Sequence, residues 1–395
     1  MAVPRARLLT LVPAPPAEAA AAVLDTVEPA LRRMLDGGAP LAVLPTGAGP
    51  AAAARTVLRP EAPLEPGTDL VVVTSGSTGG GRGVLLSAAA LRSSASATET
   101  RLGGPGSWLL ALPTSAIGGL QVLVRSVLAG REPALLTRGE SLAAAVARLP
   151  AGDRRYTSLV PTQLRRYLAE EPAALASFDA VLVGGAATDP ELLARARAAG
   201  VQVRTTYGMS ETAGGCVYDG RPLDGVAVRV AAGSDGGVEL RGPVLAHGYR
   251  GDPAATADAF VPDPDGAVWF RTRDAGTLAP DGVLAVHGRL DDVVISGGVN
   301  VSPQAVEAAL REHPSVADAV VTGRPDPEWG QRVVAAVVPS PGAVPDLAEL
   351  RSWVGGRLGA AAAPRELHLV DAVPTLHTGK PDRRAVLEHL GGEHP

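Results

Sequence analysis

The sequence predicts an α/β protein in parts: a large N-terminal domain of α/β sheets with a small β-barrel-like subdomain, then a small α+β C-terminal domain. Three observations carry this. Between residues 69 and 205 short apolar runs alternate with helical stretches, the pattern of a mostly parallel sheet. From residue 220 to 290 short strand runs are separated by Gly, Asp and Pro turns. Beyond 290 strands and helices mix over about 100 residues, enough for a separate small domain. The division falls at 1–290 and 291–395.

Residues 1–65 are rich in Ala and Pro and hold one helix over Ala17–Leu35. Asp69–Thr74 (DLVVVT) is a β-branched run, read as a buried strand. The loop SGSTGGGRG leads to a strand at Val84–Leu86, and Ser87 is placed to N-cap the next helix. Strands at Ser107–Leu112, Tyr156–Val160, Ala180–Val183 and Val201–Thr205 then alternate with helices at Leu120–Leu128, Thr162–Leu168 and Pro190–Ala198. Val226–Val230, Val238–Leu240, Val268–Arg271 and Val283–Val286 make up the barrel-like part. In the last domain, strands are expected at Val293–Ile295, Val316–Val321, Val333–Val338 and Leu367–Val370. Ser302 and Pro303 open one helix there, as N-cap and first residue, and a second lies near Leu347–Leu358.

Composition removes several function classes. Net charge is −5 with a pI near 5.9, and no basic stripe interleaves with aromatics, so nucleic acid is not an expected partner. No uncharged apolar run reads as a membrane helix of roughly 18 residues, so no membrane insertion is expected. Cys216 is the one cysteine, which fits a reducing cytoplasm, and the N-terminus does not read as a signal peptide. All seven histidines lie at 247 or later, so residues 1–246 hold neither a Ser-His-Asp triad nor a His-metal site.

TSGSTGGGRG (74–83) is the first stretch with chemistry. Glycines let backbone N–H groups approach an anion, and the hydroxyls add donors. A flexible hairpin loop is the blander reading. A Walker A loop needs a lysine that is absent, and a dinucleotide fingerprint needs a helix where VLL reads as a strand. YGMSET (207–212) gathers an aromatic, a hydroxyl and a carboxylate at a strand end. Tyr207 suits a base, Ser210 a phosphate and Glu211 Mg2+ through oxygen. WFRTRDAG (269–276) puts Asp274 after a strand, able to accept both hydroxyls of a ribose. GRLDDVVISGGVNVSPQAVE (288–307) joins the second and third textures. Each of the last three, alone, reads equally well as a surface turn or linker.

Together and in order, TSGSTG…RG, VGGA, YGMSET, RTRDAG, GRLDD…SGG…SPQAVE and TGKPDR resemble the adenylate-forming acyl-/aryl-CoA synthetase superfamily, over roughly residues 65–385. Within it, GGLQVLVRSVLAG (118–130), SLVPTQLRR (158–166) and FDAVLVGGAA (178–187) are most similar to the o-succinylbenzoate–CoA ligases of menaquinone biosynthesis in their compact actinobacterial form. The resemblance implies a small carboxylic acid, ATP and CoA as substrates, with Mg2+. The acid becomes an acyl-adenylate, and the CoA thiol then displaces AMP. It implies that Thr74, Ser75, Gly76, Ser77, Thr78 and Gly79 hold the β- and γ-phosphates and that Arg82 keeps a charge beside them. Gly184, Gly185, Ala186 and Tyr207 flank adenine, Ser210 meets a phosphate, Glu211 meets Mg2+, and Asp274 and Arg289 take the ribose. Asp291 is the hinge of a mobile C-terminal domain, Gly297 and Gly298 approach the CoA pantetheine tunnel, and Lys380 is the adenylation lysine.

The chain departs from the family's pattern in two places. Gly81-Arg82-Gly83 stands where Pro-Lys-Gly is usual, and Leu112-Pro-Thr-Ser-Ala lacks an aromatic or histidine, so Ser115 and Ala116 imply a smaller or wetter acyl pocket, with Thr114 and Ser115 as candidate lining residues. Gln121 and Arg125 share a helix face at i, i+4 and either face the second carboxylate of a dicarboxylic acid or serve a structural salt bridge. Another aryl or fatty acid as substrate, a carrier-protein thiol as acceptor, a nucleotide-binding module without catalysis, and a homodimer all stay open.

Lys380 is the single lysine among 36 lysines and arginines. An ammonium is a compact point charge, able to sit among substrate carboxylate, α-phosphate and ribose oxygens, where a planar guanidinium is too wide. Lys380→Arg is therefore expected to slow acyl-AMP formation by about 10² or more. Thioester formation from supplied acyl-AMP should change much less, and equal losses in both half-reactions would sink the assignment.

Overall fold

The computed structural model describes residues 7–19, 21–74, 81–231, 236–373 and 385–386. The chain forms two compact units, Met1–Val228 with Glu239–Arg271, and Arg229–Val238 with Thr272–Pro395.

The first unit contains two sheets. In one, Thr10–Pro13, Leu41–Leu44 and Leu70–Thr74 run parallel, and Arg82–Leu86 and then Gly248–Tyr249 add antiparallel. The other has seven strands, in the order Arg221–Pro222, Gly214–Tyr218, Val203–Met209, Ala180–Val183, Arg155–Leu159, Ser107–Leu110, Ala134–Leu135. From Val203–Met209 onward its pairs are parallel. Parallel strands need crossover connections that cover both faces, so they read as unbroken apolar runs. Ala180–Val183 is buried at every position. Ser87 caps the helix Ala88–Leu102 by accepting the Ala90 N–H at 3.1 Å. The helix Ile117–Leu128 is buried from Gly119 to Ser126, with Gln121 and Arg125 inside that run.

Three expectations shift at their edges. The helix over 17–35 is broken into Ala17–Ala19, Ala22–Asp25 and Val27–Leu35. Pro29 has no N–H for the Asp25 carbonyl and its ring crowds that carbonyl, so the helix restarts at Val27. The strand expected to end at Thr205 runs to Met209, because Gly214–Tyr218 turns back and pairs with it; Tyr207 is inside the strand. The strand expected at 268–271 runs to Leu278 because Leu284–Arg289 pairs with it, which puts Asp274 within a strand rather than after one.

In the second unit, Val299–Val301, Val294–Ser296, Gly330–Pro339 and Val316–Asp326 form an antiparallel sheet, joined in parallel by Glu366–Leu369. Its core sets Val321, Val333, Ala335 and Val337 against Val306 and Leu310 of the helix Pro303–Arg311 and Leu350 and Val354 of the helix Leu347–Leu358. Ser302 caps the first of these helices, with Pro303 at its first position. Between 220 and 290 the strands pair as open antiparallel ribbons, and no closed barrel forms among the described residues.

One buried cation organises the first unit. The Arg250 side chain is 2% exposed. Its guanidinium donates to the carbonyls of Leu58, Arg59, Ala62 and Pro63 at 2.7–2.9 Å and to Glu65 Oε2 at 2.7 Å. Glu65 Oε1 accepts the Gly251 N–H at 2.8 Å. Every donor of the fork is thus matched, which a buried guanidinium requires. Burial alone would raise the Glu65 carboxyl, but the Gly251 N–H and the Arg250 guanidinium hold it below its ordinary value.

Removing one partner of a buried pair costs about 3–5 kcal/mol. Arg250→Ala should lose about that much in urea unfolding, and a loss under roughly 1 kcal/mol would contradict the clamp. A depressed folded pKa adds stability above the unfolded value, about 4.3, and that share disappears as pH falls through the folded value. Glu65→Gln should therefore flatten the acid limb of the stability profile below about pH 4.3.

Candidate active site

The first part of the site is the mouth of the hairpin between Leu70–Thr74 and Arg82–Leu86. Thr74 and Arg82 are its last paired residues, and Thr74 Oγ1 donates to the Arg82 carbonyl at 3.4 Å. Ser75, Gly76, Ser77, Thr78 and Gly79, named from the sequence as phosphate ligands, lie outside the described residues. Gly81 and Gly83 flank Arg82 because neither position has room for a side chain. A Cβ on Gly81 would come 2.4 Å from the Thr74 oxygen, and one on Gly83 would come 2.8 Å from Arg250 Cβ. Arg82 is exposed, and its guanidinium lies over the Tyr249 ring, 5.2 Å from the centroid.

The second part lies at the carboxyl ends of the parallel strands, where open α/β sheets bind ligands. Gly184, Gly185 and Ala186 follow Ala180–Val183 directly. A Cβ on Gly184 would meet Thr206 Oγ1 at 2.2 Å, and Gly185 takes a φ of 83°. On the neighbouring strand Tyr207 is half-buried. Two glycines leave the backbone bare beside it.

The turn after that strand carries Ser210, which is buried, and Glu211. Thr212 Oγ1 accepts the Met209 N–H at 2.9 Å and donates to the Gly214 carbonyl at 2.7 Å. Ala213 is held in the left-handed region at φ 51°. Its carbonyl accepts Gln121 Nε2–H at 2.8 Å and the Ser94 hydroxyl at 3.0 Å. Glu211 is fixed at both ends: its backbone carbonyl accepts the Ala246 N–H at 2.8 Å, and Oε1 accepts the Tyr249 hydroxyl at 3.0 Å. Burial, and then the Glu211 carboxylate, push the Tyr249 phenol above its ordinary pKa, so it is a proton donor at neutral pH. Tyr249 escaped the sequence reading. Its partner Glu211 is far away in sequence, and the pairing of Gly248–Tyr249 with Val84 and Leu85 that joins them leaves no local signal.

The third part surrounds the buried helix. Thr114 is buried and Ser115 half-buried, just after the strand Ser107–Leu110. The Arg125 guanidinium donates to Thr98 Oγ1 at 3.3 Å and lies over the Trp108 ring, 4.8 Å from its centroid. No carboxylate is within ion-pair distance of it among the described residues, so the structural salt bridge considered from sequence is not what holds it. Burial lowers its pKa, and Tyr218 and Glu99 act in the opposite sense. Burial raises the Glu99 carboxyl, and the charges of Arg125 and Arg131 partly offset this. Four buried atoms here have no protein partner: Glu99 Oε1, Trp108 Nε1, Gln121 Oε1 and Arg125 Nε. Buried polar atoms of this kind ordinarily bind water or a ligand.

The remaining candidates belong to the second unit. Asp274 and Arg289 are direct cross-strand partners. The Arg289 fork donates to both Asp291 oxygens, at 2.7 Å each. The hydrogen bond to Asp291 is the main cause raising the Arg289 pKa; burial alone would raise the Asp291 carboxyl, and the guanidinium holds it down. Gly297 and Gly298, expected in a strand–loop–helix connection, instead form the two-residue turn between Val294–Ser296 and Val299–Val301. Both have positive φ, 59° and 77°, as such hairpin turns require. Lys380 lies outside the described residues.

Comparison with known proteins places this geometry. Residues 6–249 match the AMP-binding enzyme family, and residues 305–380 match its C-terminal domain. A probable 2-succinylbenzoate–CoA ligase of Mycobacterium tuberculosis is 48% identical over 377 residues, covering 92% of this chain and 95% of the relative. The 2-succinylbenzoate–CoA ligase of Geobacillus kaustophilus is 35% identical over 77% of this chain, which spans 66% of it. Among solved structures, o-succinylbenzoate CoA synthetase of Bacillus subtilis with its acyl-adenylate superposes at a TM-score of 0.74 and 25% identity, covering 96% of this chain and 88% of that one. The amide bond synthetase McbA of Marinactinospora thermotolerans gives 0.74 at 27% identity, covering 98% and 90%.

Cys216 sits on the strand after the Glu211 turn, and burial pushes its thiol up to about 12. A buried thiol of this kind is inert, so Ellman's reagent should find no free thiol in the native protein near about pH 8 and one after unfolding in guanidinium. A full equivalent in the native protein would show that the strand opens.

Proposed function

The chain belongs to the AMP-binding enzyme family, and on that premise we propose that it is an ATP-dependent acid–CoA ligase. Its reaction is o-succinylbenzoate, ATP and CoA to o-succinylbenzoyl-CoA, AMP and pyrophosphate. The observation that carries the choice of acid is the 48% identity, nearly end to end, with the mycobacterial protein of that name. Fold alone would not select the acceptor, since McbA, an amide bond synthetase, superposes equally well.

The first half-reaction needs no general base, because a carboxylate is ionised at pH 7. A substrate carboxylate oxygen attacks the α-phosphorus, and the bond to the bridging oxygen breaks to release pyrophosphate. What the protein must supply is positioning and positive charge on the phosphoryl group. We assign residues 74–79 and Arg82 to the β- and γ-phosphates, and Gly184, Gly185, Ala186 and Tyr207 to adenine. Ser210 is assigned to a phosphate oxygen, Asp274 and Arg289 to the ribose, and Lys380 to the reacting oxygens. In the second half-reaction the CoA thiolate attacks the acyl carbon and AMP leaves. Asp291 as hinge and Gly297-Gly298 beside the pantetheine belong to that step.

Glu211 fits a magnesium ion in donor type: it is a hard oxygen ligand, oriented by a phenol. Among the described residues no group of three or more His, Cys, Asp or Glu side chains could hold a metal, which agrees with a magnesium bound chiefly through nucleotide phosphates. When bound, it offsets phosphate charge. For the acid's second carboxylate we assign Arg125, acting through water with Gln121 Oε1. This is supported by the absence of a protein partner at Arg125 Nε and Gln121 Oε1.

Thioester formation should be fastest with o-succinylbenzoate in a panel with benzoate and medium-chain acids; a faster rate with one of the others would overturn the substrate. Arg125→Ala should raise KM for o-succinylbenzoate roughly tenfold or more with little change in KM for ATP. An unchanged KM for the acid would remove Arg125 from the pocket.

A further inference from the structure

Tyr249 meets two charged groups assigned to Mg-ATP, Glu211 to its magnesium and Arg82 to its phosphates. It is 5% exposed, and its ring meets Phe260 edge-on at 5.7 Å between centroids. Its backbone is held by pairing opposite Val84 and by its N–H donating to Thr256 Oγ1 at 2.9 Å. The next residue is the Arg250 clamp, whose own N–H donates to the Gly83 carbonyl at 2.7 Å. From this fixed place the hydroxyl reaches Glu211 Oε1 at 3.0 Å, and the ring face lies under the Arg82 guanidinium.

A glutamate at a turn has rotatable torsions between its backbone and its carboxylate. A donor on one oxygen sets the carboxylate plane, and such outer contacts commonly decide how well a ligand side chain holds its metal. An arginine at a hairpin mouth is equally loose unless a surface carries it, and an aromatic face attracts a guanidinium. One tyrosine on a rigid strand can do both.

We infer that Tyr249 is a positioning residue: its hydroxyl orients Glu211 for the magnesium of Mg-ATP, and its ring seats Arg82 against the phosphates. The inference rests on the assignment of Glu211 and Arg82 made above, and the two roles separate in binding measurements on the full chain without acid substrate. ATP affinity is measured by calorimetry in saturating Mg2+ and again in EDTA. Tyr249→Phe keeps the ring and is expected to melt within a few degrees of wild type. Its ATP affinity in EDTA should be unchanged, while the gain brought by Mg2+ falls about tenfold or more. Tyr249→Leu should show the same loss and a further two- to fivefold weakening, roughly, in EDTA. Glu211→Gln should also lose the Mg2+ gain. If Tyr249→Phe matches wild type under both conditions while Glu211→Gln loses the gain, the inference is wrong and the Glu211 assignment stands. Equal weakening of Tyr249→Phe with and without Mg2+ also overturns it. If Glu211→Gln keeps the full Mg2+ gain, the Glu211 assignment falls and takes the inference with it.

Discussion

The buried guanidinium of Arg250 is the constraint from which the end of the first unit that carries Arg82, Tyr249 and Glu211 is built. Leu58, Arg59, Ala62 and Pro63 give their carbonyls to it, and Glu65 balances its charge. The loop turns through a left-handed Arg59 at φ 44°, between Leu58 in the core and Leu64 packed against it. The cation satisfies the backbone carbonyls between these two anchors, and its own backbone N–H ties the same point to Gly83. Strand Gly248–Tyr249 is thereby set against Arg82–Leu86. The positions of Arg82, Tyr249 and Glu211 all follow from that edge.

The turn bearing Glu211 is held against its own preference. A non-glycine residue at φ 51° costs on the order of 1–3 kcal/mol and persists only when its surroundings demand it. Here the demand comes from Ser94 and Gln121, both bonded to the Ala213 carbonyl. Gln121 was read from sequence as a pocket residue facing the acid. Its amide nitrogen is committed to the Ala213 carbonyl of the Glu211 turn, and its buried carbonyl oxygen is left without a protein partner. One side chain thus joins the helix assigned to the acid with the turn assigned to ATP, so repacking around the acid can be felt at Glu211.

Much of this was legible because it is local or periodic. Buried parallel strands announce themselves as apolar runs, and Ala180–Val183, Pro190–Ala198 and Leu347–Leu358 fall at their expected limits. Caps such as Ser87 and Ser302 need only a few neighbouring residues to be recognised. What was not legible depends on a distant partner. The strands through Tyr207 and Asp274 are longer than their own composition suggests because later segments fold back on them. Tyr249 looks like one more core aromatic until its strand is paired. Gly297-Gly298 reads as part of a strand–loop–helix connection until the two short strands beside it close into a hairpin.

Arg125 is a buried charge held without a counter-charge at bonding distance among the described residues. A guanidinium stays charged even when burial lowers its pKa, because its starting value is so high. Holding that charge 3% exposed, over Trp108 and without an ion pair, leaves part of its desolvation uncompensated. The opposing help comes from Tyr218 and then from Glu99, whose carboxyl burial itself raises. On the assignment proposed above, an acid with a second carboxylate would recover some of that energy on binding, directly or through water, and benzoate would not. Discrimination on this basis would come from the instability of the empty pocket more than from any close fit. It would also explain how small residues at Thr114 and Ser115, in the turn before the helix, are compatible with selecting such an acid.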